Sequence, residues 1–365
     1  MKTNLLQKNI PKDWSIKKIK DLLDFEQPIK YIVESSSYTP TGKTAVLTAN
    51  KSFVLGYTNE TDGVYTDTPA IIFDDFTTDS KYVDFPFKVK SSAIKILRNK
   101  DTNTDLKFVY EIMKSFIFPI ANHKRHYISQ YQDLDIVVPP IKEQKKIADI
   151  LSSVDNEIEQ NEVLIKKYED LKIGILADFL NSKTKKTEFK RKKLEALCNF
   201  TTGKLNSNRS ITGGKYPFFT CSKETYAIDQ YSFDCEAILL AGNNAAGIYS
   251  VKHYSGKFDA YQRTYVITIK NENELDYVFL KEIINAKLNL LKNMSLGSTT
   301  KFLTIKLLHN IEINIPSISE QRRIAKILLL VDQNIIGYKS LREKFKELKK
   351  GLVLDLLSGK VRTKQ

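Results

Sequence analysis

Two short motifs resemble catalytic signatures, and each lacks a residue that its chemistry requires. Thr41-Gly42-Lys43-Thr44 ends like a phosphate-binding loop, but Ser37 occupies the position, five residues before Gly42, where that loop needs a glycine. Val138-Pro139-Pro140-Ile141 is similar to the catalytic tetrapeptide of amino-methyltransferases. It has neither the polar side chain that holds the target amine nor the aromatic ring that stacks on the base. We predict neither activity for this chain.

Carboxylates occur in two places where a divalent metal could bind. Asp135 with Glu143-Gln144-Lys145 imitates the spaced carboxylates and lysine of metal-dependent nucleases. A second copy of the triplet, Glu320-Gln321-Arg322, has no matching aspartate, so a role at a helix start is favoured. Asp74-Asp75 could also attract a hard cation, but a turn is the preferred interpretation.

Histidines and cysteines show no convincing metal-ligand or nucleophile pattern. Only two of the four histidines are closely spaced, which is a weak signal. The histidines are His123, His126, His253 and His309. The cysteines, Cys198, Cys221 and Cys235, never form a Cys-x-x-Cys motif and predict neither a disulfide framework nor a zinc site. The sequence therefore predicts a binding protein with no catalytic residue, metal or cofactor of its own.

Length and composition limit the class of protein further. The 365 residues are 42% hydrophobic, which suits two folded cores and excludes wholesale disorder. With 57 Lys and Arg against 43 Asp and Glu, the net charge of +14 favours nucleic acid as a partner, before an anionic membrane surface. The chain begins without the apolar core of a signal peptide, and no stretch approaches about 18 apolar residues. We expect a cytoplasmic protein with no membrane partner.

One segment of the chain occurs twice, and this repeat determines the predicted architecture. The segment from Pro139 to Leu180 matches the segment that starts at Pro316, 177 residues later, with 18 identities in 42 ungapped positions. Weaker similarity extends upstream, as between Trp14-Ser-Ile-Lys-Lys and Phe189-Lys-Arg-Lys-Lys. Each half is therefore a globular part followed by a repeated segment, and the globular parts have diverged further.

Both repeated segments predict a long amphipathic helix. Apolar residues recur mostly at three- and four-residue steps over 147–175 and 324–352, and a proline precedes each first turn. Such a stripe needs a partner, and the other copy is the simplest, which predicts a two-helix coiled coil. Asn161 and Tyr338 would be polar points that fix its register. The alternative is two separate helices, each packing on its own domain.

The globular parts predict mixed α/β domains, an α+β fold class. Strands are predicted at Ala45–Thr48, Ala70–Phe73, Ala93–Leu97, Ala237–Leu240 and Tyr265–Ile269, and helices at Lys107–Phe116 and Tyr277–Lys292. Between the halves, Lys183–Lys193 has seven basic residues in eleven and is either a solvated linker or a phosphate contact. The predicted parts are a domain at 1–138, a central helix at 139–182, a second domain at 183–315 and a C-terminal helix at 316–365.

With these features the chain resembles the specificity subunit of type I restriction–modification systems. The resemblance is carried by Pro139-Pro-x-x-Glu-Gln-x-x-Ile-Ala-x-Ile-Leu-x-x-x-Asp155 and its copy from Pro316. Pro11-Lys-Asp-Trp14 and Gly214-Lys-Tyr-Pro-Phe-Phe-Thr220 support it, and it covers nearly the whole chain. The second copy departs from the pattern in having one proline instead of two and in Gly337, which interrupts its helix.

The resemblance implies that each globular part is a target-recognition domain reading one half of a bipartite, asymmetric site in double-stranded DNA. The two helices would pair antiparallel about an internal pseudo-twofold, set the spacing between half-sites and dock two methyltransferase subunits. Those subunits would carry S-adenosylmethionine and methylate adenine. Restriction subunits, using ATP and Mg²⁺, would translocate and cleave DNA.

Base reading requires Arg, Lys, Asn, Gln and hydroxyl side chains on loops that enter the DNA grooves. The first domain offers Lys43, Thr44, Lys51, Tyr57, Lys81, Lys124 and Arg125. The second domain offers Lys204, Asn206, Arg209, Lys215, Lys223, Asn243, Asn244, Gln262 and Arg263. The polar loop Gly242–Gly247 is a candidate for base contact and equally for a hairpin turn.

Two other functions stay open at this point. A self-sufficient DNA methyltransferase or nuclease would need cofactor-binding glycines and the catalytic tetrapeptide, which the sequence lacks. A coiled-coil adaptor that binds no DNA would make the net charge incidental.

Overall fold

The computed structural model describes residues 10–35, 37–50, 52–116, 118–119, 124–180, 189–245, 247–297 and 300–363. The chain divides into two compact units. The first unit joins Met1–Asn161 to Ser340–Gln365, and the second is Glu162–Lys339. Each unit contains one globular part, and each long helix contributes one half to each unit.

The first globular part combines short strands with two helices. In chain order these are β1 (Ser15–Lys18), α1 (Ile19–Leu22), β2 (Leu23–Glu26), β3 (Thr44–Leu47), β4 (Val54–Thr58), β5 (Ala70–Asp74), β6 (Ser80–Val83), β7 (Phe87–Val89), β8 (Ile94–Asn99), α2 (Leu106–Ser115) and β9 (Asp135–Val138). Strands β2, β8, β5 and β6 form an antiparallel sheet, and β3 lies between antiparallel β4 and parallel β7. Strands β1 and β9 pair just before the long helix α3 (Ile141–Leu180).

The second globular part follows the same plan with longer strands. Its elements are β10 (Lys190–Lys193), α4 (Leu194–Leu197), β11 (Cys198–Thr202), β12 (Tyr216–Phe219), β13 (Tyr226–Ile228), β14 (Phe233–Ala241), β15 (Asn243–Asn244), β16 (Val251–Ala260), β17 (Thr264–Ile269), α5 (Tyr277–Ala286), α6 (Leu288–Met294), β18 (Lys301–Phe302), α7 (Ile305–His309) and β19 (Glu312–Ile315). Six strands form one sheet in the order β11-β17-β14-β16-β12-β13, while β10 pairs with β19 and β15 with β18. Helix α8 (Ile318–Leu357) follows.

The two globular parts share one topology. Strands β2-β8-β5-β6 correspond to β11-β17-β14-β16, and β4-β3-β7 corresponds to β13-β12-β16. One long strand, β16, thus replaces both β6 and β7. In the first part, Asp84-Phe85-Pro86 separates β6 from β7, and Pro86 has no N–H with which to continue a ladder. The internal repeat predicted from the helices therefore extends through both domains.

The central strand of each globular part is buried on both faces. In β5, Ile71 and Phe73 belong to the core formed with α2, whereas Ala70 and Ile72 belong to the core formed with β3 and β7. In β14, alternate residues likewise divide between two cores. A strand covered on both sides reads as a continuous apolar run, which is why the sequence predicts both strands.

Within the first unit, the start of α3 runs antiparallel to the end of α8. Asp155 forms an ion pair with Lys349. Earlier in α3, Ile147 and Leu151 share one core with Leu356 and Leu357, later in α8. The same core contains α2, so the helix pair and the domain pack together.

Within the second unit, the end of α3 runs antiparallel to the start of α8. Lys172 lies 2.7 Å from a carboxylate oxygen of Asp332, and the rings of Tyr168 and Tyr338 stack with centroids 5.7 Å apart. Later in α3, Leu176 shares a core with Leu328, earlier in α8. The predicted coiled coil is therefore confirmed, and the alternative of two unpaired helices is wrong.

Asn161 and Gly337 are two positions of the helix pair for which the sequence makes specific predictions. Asn161 is buried and donates to the carbonyl of Glu157 at 2.6 Å. Its role in fixing register remains a prediction. Helix α8 continues through Gly337, so the expectation that this glycine interrupts the helix is wrong. A Cβ at Gly337 would have no neighbour within 4 Å, and one glycine in an exposed helix costs only about 1 kcal/mol.

Two sequence-based boundaries need correction. Lys190–Lys193, predicted as linker or phosphate contact, forms strand β10, because its residues pair with β19 and Arg191 lies 2.5 Å from Glu312. Residues 183–188 of that segment lie outside the described residues. The helix predicted at Tyr277–Lys292 is two helices, α5 and α6, with the break at Lys287.

No helix in the described ranges is long and apolar enough to cross a bilayer.

Candidate nucleic-acid interface

Four short segments of the second globular part meet at one edge, here called the domain-2 edge. They are Cys221–Lys223, Gly242–Asn244, Gln262–Arg263 and Lys301–Phe302. The carbonyl of Arg263 accepts from the N–H of Gly242 at 2.8 Å and from the thiol of Cys221 at 3.3 Å. A Cβ at Gly242 would lie 2.4 Å from that same carbonyl, so the close approach requires glycine.

The first globular part has an edge built in the same way, here called the domain-1 edge. It consists of Asn50, Asp75–Thr77, Ser91–Ala93 and Lys124–Arg125. The N–H of Asp75 donates to Ala93 at 2.9 Å, and the carbonyl of Asp75 accepts from His126 at 2.8 Å. Gly242 makes the equivalent bonds to Arg263 and Leu303, each 2.8 Å long. The two edges therefore occupy the same place in the two domains.

The edges bring together part of the predicted contact set. The residues of this set at the edges are Lys124, Arg125, Lys223, Asn243, Asn244, Gln262 and Arg263. Asn206 also belongs here, because its side-chain oxygen accepts from Gln262 at 2.9 Å. Lys204 is exposed close by, since the next residue, Leu205, bridges to Tyr261.

Other members of the predicted set lie elsewhere. Lys43 and Lys215 precede the first residues of β3 and β12, at the opposite ends of those strands from the edges. A four-residue strand separates the two ends by about 13 Å. Four more residues belong to this group. Thr44 is buried at the start of β3, and Tyr57 and Lys81 are half-buried in β4 and β6. Arg209 is exposed in a 3₁₀ turn. Lys51 lies outside the described residues.

The edges carry positive charge that the protein itself does not neutralise. Lys124, Arg125, Lys223 and Arg263 are exposed, and none forms an ion pair with a carboxylate in the described ranges. By contrast, the buried Lys88 lies 2.7 Å from Glu60 and serves the fold. Uncompensated exposed cations are what phosphate contacts require.

Sequence reasoning missed Lys252, which binds the backbone on both sides of Lys223 at the domain-2 edge. Its ammonium donates to the carbonyls of Ser222 at 3.1 Å and Glu224 at 2.5 Å and lies 5.7 Å from the ring centre of Phe219. Burial lowers its pKa, and nearby Glu224 partly opposes that shift. Lys252 therefore holds the loop that carries Lys223. Only the tertiary contact identifies this role.

The residues once considered for metal chemistry serve the fold. Asp74 accepts from the N–H groups of Phe76 and Thr77 at 2.9 and 3.0 Å, which supports its interpretation as a turn residue. Asp75 lies 3.2 Å from Lys95, and both side chains are 1% exposed. The described residues contain no cluster of His, Cys, Asp and Glu that could hold a metal, and the three cysteines are free thiols.

The repeated Glu-Gln pair ties each domain to its long helix. Gln144 accepts from the N–H of Asp105, the N-cap of α2, at 2.8 Å, and donates to the carbonyls of Asn103 at 3.1 Å and Pro139 at 2.9 Å. Gln321 repeats all three bonds, with Asp276 at 3.0 Å, Glu274 at 2.8 Å and Pro316 at 3.0 Å. The triplet at each helix start is therefore a clamp that fixes the orientation of a domain on its helix.

Glu143 links Trp14 to Arg362, two residues that are far apart in the sequence. Its carboxylate accepts from the indole of Trp14 at 3.1 Å and from Arg362 at 2.8 and 2.9 Å. Arg362 also donates to Asp13 at 2.6 and 3.0 Å. Burial would raise the pKa of Glu143, but the hydrogen bonds from Arg362 and Trp14 outweigh it and hold the pKa below its ordinary value.

Comparison with known proteins gives a consistent result. The family model of the type I restriction modification DNA specificity domain matches residues 11–167 and 186–344. The specificity subunit of the type I restriction enzyme EcoR124I/EcoR124II from Escherichia coli is 40% identical over 191 residues, 51% of this chain and 44% of that protein. The EcoDI specificity subunit from Escherichia coli is 39% identical over 144 residues, 39% of this chain and 30% of that protein. The chain thus spans less than half the length of these two relatives.

A solved structure shares the fold. The crystal structure of a type I restriction–modification system S subunit from M. genitalium matches with a TM-score of 0.72 and 21% sequence identity, over 96% of this chain and 97% of that one. At this identity the likeness concerns the fold, two mixed α/β domains and two long helices.

Proposed function

The chain belongs to the type I restriction modification DNA specificity domain family, and from this premise we propose that it is a DNA-binding specificity subunit. Each globular domain reads one half of a bipartite site in double-stranded DNA through its edge. The observation that carries the proposal is the pair of edges: the same fold position, reached by the same backbone bonds, presents different exposed polar side chains in each domain.

The division of roles follows from where sequence and structure vary. The Gln144 and Gln321 clamps hold both domains on their helices with the same three bonds, so the frame is constant. The edges differ in residue type, as expected of surfaces that read different bases. The chain itself catalyses nothing in this proposal. Two methyltransferase subunits, bound to the helices and supplied with S-adenosylmethionine, methylate adenine, and restriction subunits supply the ATP- and Mg²⁺-dependent steps.

The first experiment tests DNA binding itself. The full chain, purified alone and with a co-expressed adenine methyltransferase partner, is titrated with duplex DNA at several salt concentrations. Affinity should fall steeply with salt, because phosphate contacts release counterions. Mapping of methylated adenines in cells that express the complex then gives the site. Salt-independent binding, or methylation without a bipartite site, would contradict the proposal.

A second experiment locates the interface. Arg263→Ala removes an exposed cation from the domain-2 edge, and Lys215→Ala removes one from the opposite end of β12. We expect Arg263→Ala to weaken binding by about 1–3 kcal/mol and Lys215→Ala to change it by much less. The reverse result would move the interface to the end of the domain where Lys43 and Lys215 lie.

The rival functions make different predictions. A self-sufficient methyltransferase or nuclease would turn over DNA when the pure chain receives Mg²⁺ and labelled S-adenosylmethionine. An adaptor would retain the methyltransferase partner and leave DNA unbound. We expect neither result.

A further inference from the structure

Phe302 and Leu296 form an exposed apolar pair at the domain-2 edge. The two residues exchange backbone hydrogen bonds of 2.9 and 3.1 Å and are 38% and 54% exposed. On its other side Phe302 pairs with Asn243 of β15. Residues opposite one another in a ladder project from the same face, so the ring, the leucine side chain and the Asn243 amide stand together.

The surroundings of this pair are polar and basic. Lys292 and Lys301 both lie against Gly247, where their Cγ atoms are 3.1 and 3.4 Å from the position of a Cβ. Neither lysine pairs with a carboxylate of the residues that the structure describes. The Asn243 side chain likewise has no hydrogen-bond partner within those residues. Lys301 is the neighbour of Phe302 in β18, so its side chain projects from the opposite face, where Lys292 lies with it against Gly247. The apolar tip thus has a free amide on its own face and two cations without a carboxylate partner, among the described residues, on the other.

The backbone that presents the tip is constrained. Gly297 has φ +97°, and a Cβ there would lie 2.1 Å from the carbonyl of Thr300. Only glycine permits this φ value together with so close an approach to Thr300. On the other side, the N–H of Leu303 donates to Gly242 at 2.8 Å and fixes Phe302 against β15. Backbone hydrogen bonds at Phe302 and Leu303 therefore hold the exposed ring in place.

The equivalent position of the first domain carries a different residue type. His126 bonds to Asp75 as Leu303 bonds to Gly242, so the preceding residues, Arg125 and Phe302, correspond. Both side chains are exposed. One fold position therefore presents a guanidinium in the first domain and an aromatic ring in the second.

Building on the proposed function, we propose that Phe302, supported by Leu296, is a wedge that inserts against a base step of the half-site read by the second domain. Proteins unstack and kink DNA with apolar side chains of this kind, set among cations that hold the phosphates on either side. Lys292 and Lys301 supply cations from the opposite face of the same ribbon, and Asn243 supplies a donor and an acceptor for a base edge. Arg125 contacts the first half-site without insertion. A protein partner with an apolar surface would leave the two lysines and the amide unpaired, which disfavours it.

The test uses the full chain with its methyltransferase partner on the site defined by methylation mapping. A 2-aminopurine is placed at successive positions of the second half-site, outside the methylated adenine, since this base fluoresces more strongly when unstacked. We expect a fluorescence increase at one step with the wild type. Phe302→Ala should abolish it and weaken binding by about tenfold. Ile211→Ala, which removes an apolar residue of 46% exposure from outside the edge, is the matched control and should change neither.

The outcomes separate this inference from the function on which it rests. Loss of the signal in Phe302→Ala and its retention in Ile211→Ala would support the wedge. Tight binding with no unstacked step, or an unchanged signal in Phe302→Ala, would overturn the wedge alone. Absence of DNA binding by the wild-type complex would overturn both. Phe302→Trp provides a further check, because it keeps an aromatic ring at this position. A wedge role predicts that Phe302→Trp retains the fluorescence signal that Phe302→Ala loses.

Discussion

Lys172 in α3 donates hydrogen bonds of 2.7 and 2.8 Å to the two carboxylate oxygens of Asp332 in α8. Lys349 and Asp155, each displaced by 177 residues in the sequence, form the same pair in the other unit. Each lysine also lies near a buried glutamate of its domain's helix, Glu282 of α5 or Glu111 of α2. One ammonium in each unit therefore joins three helices.

Removal of this ammonium should destabilise the protein more than removal of an exposed one. Lys172→Met removes the ion-pair partner of Asp332 and one of the two ammonium groups beside Glu282, which is only 1% exposed and keeps Lys281 at 2.6 Å. We expect the free energy of unfolding to fall by about 2–4 kcal/mol. Lys339→Met is the control, because its pair with Glu169 is 47% and 46% exposed and should matter by less than about 1 kcal/mol. Urea titration followed by circular dichroism measures both; equal losses would contradict the three-helix role.

Acid should weaken the contact between the end of the chain and Glu143. The pKa of Glu143 lies below its ordinary value of 4.5, so its contribution is present above that value and is lost as pH falls through the depressed pKa. Arg362→Ala should therefore lower the free energy of unfolding at neutral pH, and its difference from wild type should shrink below about pH 4.5. Unfolding measured over about pH 3–7 tests this. A difference that stays constant over the range would mean that Arg362 acts through packing alone.

The two glutamine clamps should be equivalent. Gln144→Ala leaves the N–H of Asp105 and the carbonyl of Pro139 without their partner, and Gln321→Ala does the same to Asp276 and Pro316. Unsatisfied buried groups of this kind cost about 1–3 kcal/mol each. We expect faster amide exchange at the start of α2 in the first variant and of α5 in the second. Gln333→Ala, on the exposed face of α8, should change neither helix. Exchange that rises in both helices from one substitution would show that the clamps are not independent.

The length of the helix pair should set the gap between half-sites. The boundary between the two compact units falls between Asn161 and Glu162 in α3 and between Lys339 and Ser340 in α8. Insertion of four residues at both points preserves the pairing within each unit and adds about 6 Å of helix. At about 3.4 Å per base pair, the methylated sites should acquire a gap one or two base pairs longer. The same insertion at one point only should impair folding. Full methylation at an unchanged gap from the double insertion would exclude a spacer role.

The two long helices could be predicted from sequence because the pattern that indicates them extends over many consecutive residues. The apolar period of α3 and α8 and its repetition over 42 positions both indicate long helices. Helix α3 matches its predicted extent of 139–182 to within two residues at each end, whereas α8, predicted at 316–365, ends at Leu357. Strand β10 could not be predicted, because four consecutive basic residues form a strand only when β19 and carboxylates such as Glu312 are brought beside them. Propensity says nothing about such partners.

The candidate interface was predictable by residue type and not by position. As basic residues near turns, Arg263 and Lys215 were equally good candidates for DNA contact, yet they lie at opposite ends of the domain-2 sheet. Phe302 was missed because an aromatic residue between Lys301 and Leu303 usually indicates core. Its exposure results from pairing with a two-residue strand, which no local pattern reveals.

The composition of the first unit has a consequence for synthesis on the ribosome. Its core needs Leu356 and Leu357 to cover Ile147 and Leu151, and these pairs are separated by the whole of the second unit. The second unit, Glu162–Lys339, is continuous in the chain and can complete its core as soon as it emerges. At about 5–20 residues per second, the first domain waits roughly 10–40 s with the apolar face of nascent α3 uncovered. The domain translated first is therefore the last to complete its core, and the face of α3 that carries Ile147 and Leu151 stays exposed until the C-terminal part of α8 has been made.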